Sequence, residues 1–247
     1  MIFIIKFFIS EVIVVYFLAL YLLRFICDIY PVKTYKESKN SLIPCKDIEQ
    51  VALATNSYRN IGRNKVLQAF SWKDLGGGNA NDDYVFPSFD ESRYIAYSAI
   101  ANGTKGIFYW GAQFSKGNEE FIKSIYAVVQ ELSYLEPFLI SPQKDVKIKA
   151  IKDCVNQSCD VSCFAGRFGH DSTFAVVNET DENQMEVVVE NLKYLNGEKF
   201  FELYGDGEET VNHEEIVIRM KPREVKIFST SKRWENTETT GRDYQGK

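Results

Sequence analysis

Three cysteines and one histidine are the residues of this chain whose spacing first suggests chemistry. Cys154, Cys159 and Cys163 form the pattern C-x4-C-x3-C, and His170 follows them. With His170 as a fourth ligand they would make a metal knuckle, but this is not the spacing of a zinc ribbon or finger. A local disulfide, or buried thiols in a β domain, is the more common explanation. We therefore predict no metal site and no cofactor.

The remaining polar composition excludes two further classes of function. His170 and His213 lie far apart and have no nearby Ser or Asp pattern, which argues against a histidine-based triad. The chain has 29 Lys and Arg against 34 Asp and Glu, for a net charge of -5. No basic patch is present to neutralise phosphates, so we predict no nucleic-acid partner.

The first part of the chain alternates short apolar runs with helical patterns. Residues 107–110 read Ile-Phe-Tyr-Trp between two glycines, whereas a strand with one face in water would alternate apolar and polar residues. We expect this run to be a strand buried on both faces. Similar runs lie at 25–32 and 65–72, and helical patterns lie at 46–60, 90–102 and 119–139. The order predicts an α/β fold in which helices cover a parallel sheet.

Two helix boundaries follow from capping rules. Asp90 is expected at the N-cap of the second helix, with Glu91 in its first turn. Pro137 is expected to end the third helix, because proline disfavours helical backbone at the residue before it.

From Lys144 the apolar residues change to period two. Six short alternating segments rich in β-branched residues are separated by turn signals such as "NETDEN" and "LNGE". This pattern predicts a small antiparallel β-sandwich over residues 142–230. Residues 231–247 are polar and are predicted to be disordered.

Residues 1–24 form an apolar leader. A membrane span needs about 20 apolar residues, and here Lys6 and Glu11 would lie inside one. A small-residue cleavage site is also lacking. We interpret the segment as a membrane anchor, a signal-like leader or an artefact, with a soluble buried segment as the lesser alternative. A genuine leader would bring residues 2–26 to a membrane and place the chain there or outside the cytoplasm.

Three N-glycosylation sequons occur, at Asn102, Asn156 and Asn178. They would be relevant only if the protein is eukaryotic and secreted.

Residues 28–139 resemble the last third of a bacterial (β/α)8-barrel glycoside hydrolase. The resemblance rests on "DIYPV", "KVLQAFSW" and "YVFPSFDESRYIAYSAIANGTKGIFYWGAQ", in that order. It implies a partial barrel of about three βα units over residues 25–141, and such barrels often carry a C-terminal β-sandwich. Thr104 replaces the small residue that is usual in the family.

The resemblance implies a carbohydrate partner and a set of residues lining its site. Trp110, at the end of its strand, would stack on a pyranose face or pack at the barrel rim. Asp28 would bind sugar hydroxyls or cap the next turn, and Gln68 would bind a hydroxyl or satisfy backbone groups. Trp72 and Asp74 would line the site from the following loop.

The expected catalytic carboxylates are not identified. The family's acid/base Glu follows a strand outside the resemblance, and the strand expected to carry the nucleophile has Gln68, which cannot act as one. We expect part of a glycoside hydrolase that is inactive as this chain alone. The alternative is a non-catalytic carbohydrate-binding or membrane-anchored surface protein. Three parallel strands alone would also expose an apolar edge and the face meant for the barrel interior.

Overall fold

The computed structural model describes residues 4–7, 26–31, 50–57, 64–75, 85–115, 117–142, 146–151, 161–180 and 185–236. The chain divides into two compact units, Met1–Val128 and Val129–Lys247. This division falls inside a helix, and the domain boundary near residue 141 stays a prediction from the sequence. No helix within the described ranges has both the length and the apolarity to cross a membrane.

The first unit contains a four-stranded parallel sheet with the strand order β1-β4-β3-β2. Helices α1 and α2 lie between its later strands, and α3 follows the last one. The α/β alternation predicted from the sequence is confirmed in the described residues. The elements are β1 (Ile4–Phe7), β2 (Ile26–Ile29), α1 (Gln50–Ser57), β3 (Asn64–Gln68), α2 (Phe89–Ala101), β4 (Gly106–Trp110) and α3 (Glu119–Tyr134).

Strand β1 was not predicted, because residues 1–24 were interpreted as a leader. Its four residues pair in parallel with β4, and Ile4 lies opposite Gly106 in the register. The edge of β4 that the sequence left open is therefore paired. The anchoring and targeting roles considered for the rest of the leader fall on residues outside the described ranges.

Both predicted helix boundaries in this region need correction. Ser88, not Asp90, is the N-cap of α2: its hydroxyl accepts from the Glu91 amide, and the Glu91 carboxylate accepts from the Ser88 amide. This reciprocal capping box satisfies two amides that would otherwise lack partners. Pro137 does not end α3, which stops at Tyr134. It lies instead in the first turn of a short helix α4 (Glu136–Leu139), where its missing amide costs nothing.

The two faces of the parallel sheet differ in burial. Lys65, Leu67, Ile107 and Tyr109 share one face and are buried. On the opposite face, Val66 and Phe108 are only half-buried and Trp110 is exposed, although Gln68 opposite Trp110 is buried. The prediction that β4 is buried on both faces is therefore correct for one face and wrong for the other.

The second unit is built from antiparallel strands in two sheets. One sheet has five strands in the order β10-β9-β12-β7-β6, and the other has three in the order β11-β8-β5. The strands are β5 (Lys147–Ile151), β6 (Val161–Phe168), β7 (Asp171–Asn178), β8 (Met185–Glu190), β9 (Lys199–Leu203), β10 (Glu208–Thr210), β11 (Ile216–Met220) and β12 (Val225–Ser229). The six predicted strands are present, and β6 and β10 were missed.

Both sheets contribute to a single apolar core. Phe174, Phe200 and Phe228 come from the five-stranded sheet, and Val187 and Ile218 come from the three-stranded one. Alternation of buried and exposed residues along β11 shows why period two was so readable here. Residues Lys232–Trp234 form a 3-10 turn and Asn236 is buried, so the segment predicted to be disordered begins with ordered chain. Residues 237–247 lie outside the described ranges.

Candidate functional site

An aromatic cluster lies at the carboxyl ends of three neighbouring strands in the first unit. Tyr30 follows β2, Phe70 and Trp72 follow β3, and Trp110 is the last residue of β4, with Phe114 shortly after it. These five residues are called the strand-end cluster below. In parallel α/β sheets and barrels, ligands bind at the carboxyl ends of the strands. The cluster therefore occupies the edge of the sheet where a binding site is expected.

The rings of the cluster are in mutual contact. Phe70 is fully buried at its centre, with ring centroids 5.1 Å from Tyr30, 5.3 Å from Trp72 and 5.3 Å from Trp110, each in an edge arrangement. Tyr30 and Trp110 are stacked at 5.7 Å. Such arrangements suit the charge distribution of aromatic rings, and each is worth about 1 kcal/mol beyond the area buried.

Two rings reach the surface. Trp110 is 39% exposed and Phe114 is 37% exposed, and their centroids are 5.8 Å apart with 52° between the planes. Trp110 contacts both Phe70 and Tyr30, so the exposed indole is supported from behind by rings that solvent reaches less. The result is a rigid apolar surface that is open to a ligand.

The backbone around the cluster is fixed by local hydrogen bonds. The Ala69 amide donates to the Trp110 carbonyl at 2.9 Å, and the Ser115 hydroxyl donates to the Ala69 carbonyl at 2.7 Å. Gly111 has a φ of 92°, and a Cβ there would lie 2.5 Å from Phe70 Cδ1. Glycine is therefore required at this position both for backbone conformation and for space.

The site residues predicted from the sequence fall into three groups. Trp110 and Trp72 belong to the strand-end cluster, and their role in lining a sugar site stays a prediction. Asp74 is exposed on the same 3-10 turn as Trp72. Asp28 lies in β2 opposite Val66, and its side chain is outside the described part of the structure.

The side chain of Gln68 is buried and bonded to the backbone. Its side chain is 2% exposed, and its amide nitrogen donates to the Phe70 carbonyl at 2.9 Å. Of the two roles that the sequence left open, this bond favours the satisfaction of backbone groups. Gln68 thereby helps to hold the turn that presents Phe70.

The indole nitrogen of Trp72 is the polar atom of the cluster that lacks a partner. Nε1 is buried and has no hydrogen-bond acceptor among the described residues. Leaving such a donor unsatisfied costs about 1–3 kcal/mol. A ligand hydroxyl or carbonyl beside the ring would satisfy it.

Sequence reasoning missed Tyr30, Phe70 and Phe114. For Tyr30 and Phe70 the available signal was position, because each comes within two residues of a strand's end. Their residue types alone did not distinguish them from core aromatics. For Phe114, the exposure that sets it apart is a property of the fold.

Cys163, Asn102 and Asn178, which the sequence suggested as thiol or glycosylation sites, are not part of the strand-end cluster. Cys163 lies in β6 as a free thiol, and burial raises its pKa from 9.0 to about 11, while Cys154 and Cys159 lie outside the described ranges. Asn102 and Asn178 are buried, and their side-chain amides donate to the carbonyls of Ser98 and Lys221. The folded chain therefore presents neither sequon to solvent, and Asn156 is outside the described ranges.

No protein-family model matches this chain, and no curated protein is significantly similar to it in sequence. Solved structures of glycoside hydrolases resemble it in part. AmyP in complex with maltose has a TM-score of 0.45 and 11% identity, with 83% of this chain and 55% of that chain covered. The α-amylase of Geobacillus thermoleovorans complexed with acarbose gives 0.44 and 10%, with coverages of 73% and 42%.

A glycoside hydrolase of family 5 from Bacteroides vulgatus gives a TM-score of 0.43 and 12% identity, covering 86% of this chain and 53% of that one. The chain thus spans about half the length of these structures. Scores of this size describe a partial likeness and assign neither substrate nor activity to this chain.

Proposed function

We propose that this chain is part of a (β/α)8-barrel glycoside hydrolase, in which the strand-end cluster binds a sugar ring. The first unit would supply about the last three βα units of the barrel, and the second unit would be a C-terminal β-sandwich. The observation that carries the proposal is the supported, exposed indole of Trp110 at the carboxyl edge of a parallel sheet.

The position of β1 supports the barrel interpretation. In a closed barrel the first strand lies beside the last, and here an N-terminal strand pairs in parallel with β4, the last strand of its sheet. The half-buried face of Val66, Phe108 and Trp110 is the face that would look into the barrel. An incomplete barrel accounts for apolar residues that are half-exposed on that face.

The chemistry of the cluster suits a saccharide. A pyranose has an apolar C–H face that packs on an indole, and hydroxyls around its rim that need donors and acceptors. Trp110 would supply the stacking surface, and the Trp72 indole would supply a donor. Asp74, exposed on the adjoining turn, would accept from a hydroxyl.

Hydrolysis needs more than these residues provide. Glycoside hydrolases of the common kind use two carboxylates, about 5 Å apart when retaining and further apart when inverting. In the described segments that supply the cluster, 26–31, 64–75 and 106–115, the carboxylates are Asp28 and Asp74. The family resemblance assigns neither of them to the catalytic pair, so carbohydrate binding without catalysis is kept as the second candidate function for the chain acting alone.

Affinity electrophoresis in native gels containing soluble starch, xylan or mixed-linkage β-glucan tests the proposal. At least one polysaccharide should retard the chain, and Trp110→Ala should abolish most of that retardation. Tyr126→Ala removes an equally exposed aromatic from α3 and should leave it unchanged. No retardation by any of the three, or equal retardation of the Trp110 variant, would refute sugar binding by the cluster.

Aryl glycosides separate the two candidate functions. We expect no turnover by the 247-residue chain above the uncatalysed rate. Turnover that survives purification would show that the chain holds a complete catalytic pair.

A further inference from the structure

A second aromatic group is exposed in the antiparallel unit. Phe168, the last residue of β6, is 47% exposed and lies near Trp234, with ring centroids 6.0 Å apart. Phe138 is fully buried behind both rings, 4.8 Å from Trp234 and 6.4 Å from Phe168. Phe168, Trp234, Asp171 and Arg233 are called the hairpin patch below.

The patch is held rigidly. The Trp234 indole N–H donates to Asp171 Oδ2 at 2.9 Å, and the Arg233 guanidinium pairs with the same carboxylate. The guanidinium also lies 4.9 Å from the centroid of the Trp234 ring. Gly166 allows β6 to lie against Phe138, because a Cβ there would overlap the Phe138 carbonyl oxygen. Little conformational entropy therefore remains for a ligand to remove.

The patch combines an apolar ring with a neutral pair of polar groups. Phe168 and Asp171 are partners in the register at the end of the β6–β7 hairpin, so their side chains leave the same face of the sheet. Asp171 supplies acceptor oxygens and Arg233 supplies N–H donors, and their charges cancel. Adjacent hydroxyls of a pyranose, each both donor and acceptor, match such a pair beside a stacking surface.

The surroundings of the patch are too polar for a protein interface of ordinary size. A stable protein–protein contact covers about 800 Å² on each partner, with an apolar centre. Exposed residues next to the patch in sequence include Gly169, His170 and Lys232, none of which has a large apolar side chain. These neighbours favour a sugar ring over the apolar centre of a protein interface.

We infer that the hairpin patch is a second saccharide-contact site, on the antiparallel unit and separate from the strand-end cluster. Phe168 stacks on the apolar face of a pyranose, and Asp171 and Arg233 hydrogen-bond its hydroxyls. The site holds a polysaccharide and has no part in bond cleavage.

Tryptophan fluorescence can read the two sites separately, because the chain has three tryptophans and only Trp234 lies in the hairpin patch. In a Trp72→Phe/Trp110→Phe chain, Trp234 is the sole emitter. Titration with soluble starch, xylan and mixed-linkage β-glucan should change its emission saturably for at least one of them. Phe168→Ala should weaken that binding at least tenfold, and Tyr194→Ala, which removes a more exposed tyrosine of the same unit, should not.

If Phe168→Ala unfolds the unit, Phe168→Leu keeps the apolar bulk without the aromatic face and should give the same loss of affinity. No saturable change at Trp234, or unchanged affinity in the folded Phe168 variants, overturns the inference. So does self-association that depends on Phe168, since that would make the patch a protein contact.

A Trp234→Phe chain reports on Trp72 and Trp110 and keeps this inference distinct from the proposed function. A response there without one at Trp234 leaves the strand-end site standing and refutes the hairpin site. A response at Trp234 alone does the reverse.

Discussion

The two units of this chain bury their sheets in different ways. In the antiparallel unit, both sheets direct their large apolar residues into one shared core. In the parallel unit, one sheet face is sealed and the other leaves Val66, Phe108 and Trp110 partly open. The comparison indicates that the facing sides of the two antiparallel sheets are enclosed by residues of their own unit, whereas one face of the parallel sheet has apolar surface available to a ligand or to further chain.

Truncation of one phenylalanine in each unit should show this difference most strongly. Phe228→Ala empties a fully enclosed position and should lower the free energy of unfolding by about 3–5 kcal/mol. Phe108→Ala, on the half-open face, should cost less than half of that. Urea unfolding checks both, read by Trp234 emission for the first and by Trp72 and Trp110 emission for the second. Equal losses would mean that the open face is buried as deeply as the shared core.

A pair of glycines tests how tightly the strand-end cluster of the parallel unit is packed. Gly111→Ala should lower the free energy of unfolding by about 2–4 kcal/mol, from left-handed backbone strain and from overlap with Phe70. Gly117→Ala is the matched control, since Gly117 has the same φ of 92° but nothing near the position of a Cβ. It should cost about 1–2 kcal/mol, from strain alone. Similar decreases in the free energy of unfolding for the two variants would show that the Phe70 ring moves aside at little energetic cost.

The cap of α2 gives a smaller effect in the same unit. Ser88→Ala removes one half of the capping box and should cost about 1 kcal/mol in urea unfolding. Asp90→Ala, at the position that the sequence favoured, should cost only a few tenths through the helix dipole. A larger loss of stability for Asp90→Ala than for Ser88→Ala would show that Asp90 is the N-cap.

The last prediction concerns the dependence of stability on pH in the antiparallel unit. The pKa of Cys163 is raised to about 11 in the folded chain, so the folded state favours the neutral thiol. The resulting stability term is fully present below pH 9 and is lost as the pH rises toward 11, because the unfolded chain then releases the proton first. Urea midpoints between pH 8 and 11 should fall less in Cys163→Ala than in the parent chain. Parallel pH profiles would exclude Cys163 as a source of that slope.

Periodicity predicted the elements better than it predicted their surroundings. Strand β4 was readable because its run Ile107–Trp110 has no polar residue, and β11 was readable because its burial alternates strictly. Strand β1 was missed because the sequence of an apolar segment does not show whether the segment enters a bilayer or a sheet. Asp90 was predicted as the N-cap in place of Ser88 because both residue types cap helices, and only the backbone geometry decides between them.

The candidate site was half predictable for a related reason. Trp110 stood out by type and by its position at a strand end, and Trp72 by type and by its position in the loop that follows a strand. Tyr30 and Phe70 are ordinary aromatics until the parallel register brings three strand ends together. For Gln68 the sequence left two roles open, a ligand hydroxyl or backbone groups, and the bond from its side-chain amide to the Phe70 carbonyl favours the second.

The pairing of β1 with β4 has a consequence for the order of folding. Ile4 lies opposite Gly106, so about 100 residues must be made before this contact can form, which takes about 5–20 s at ordinary rates of synthesis. The partners Asn64 and Gly106 are much closer in sequence, so the β3–β4 pair can form with a smaller loop. The apolar β1 segment is therefore unpaired during this part of synthesis. During that interval a chaperone or a membrane surface can bind the segment in place of β4.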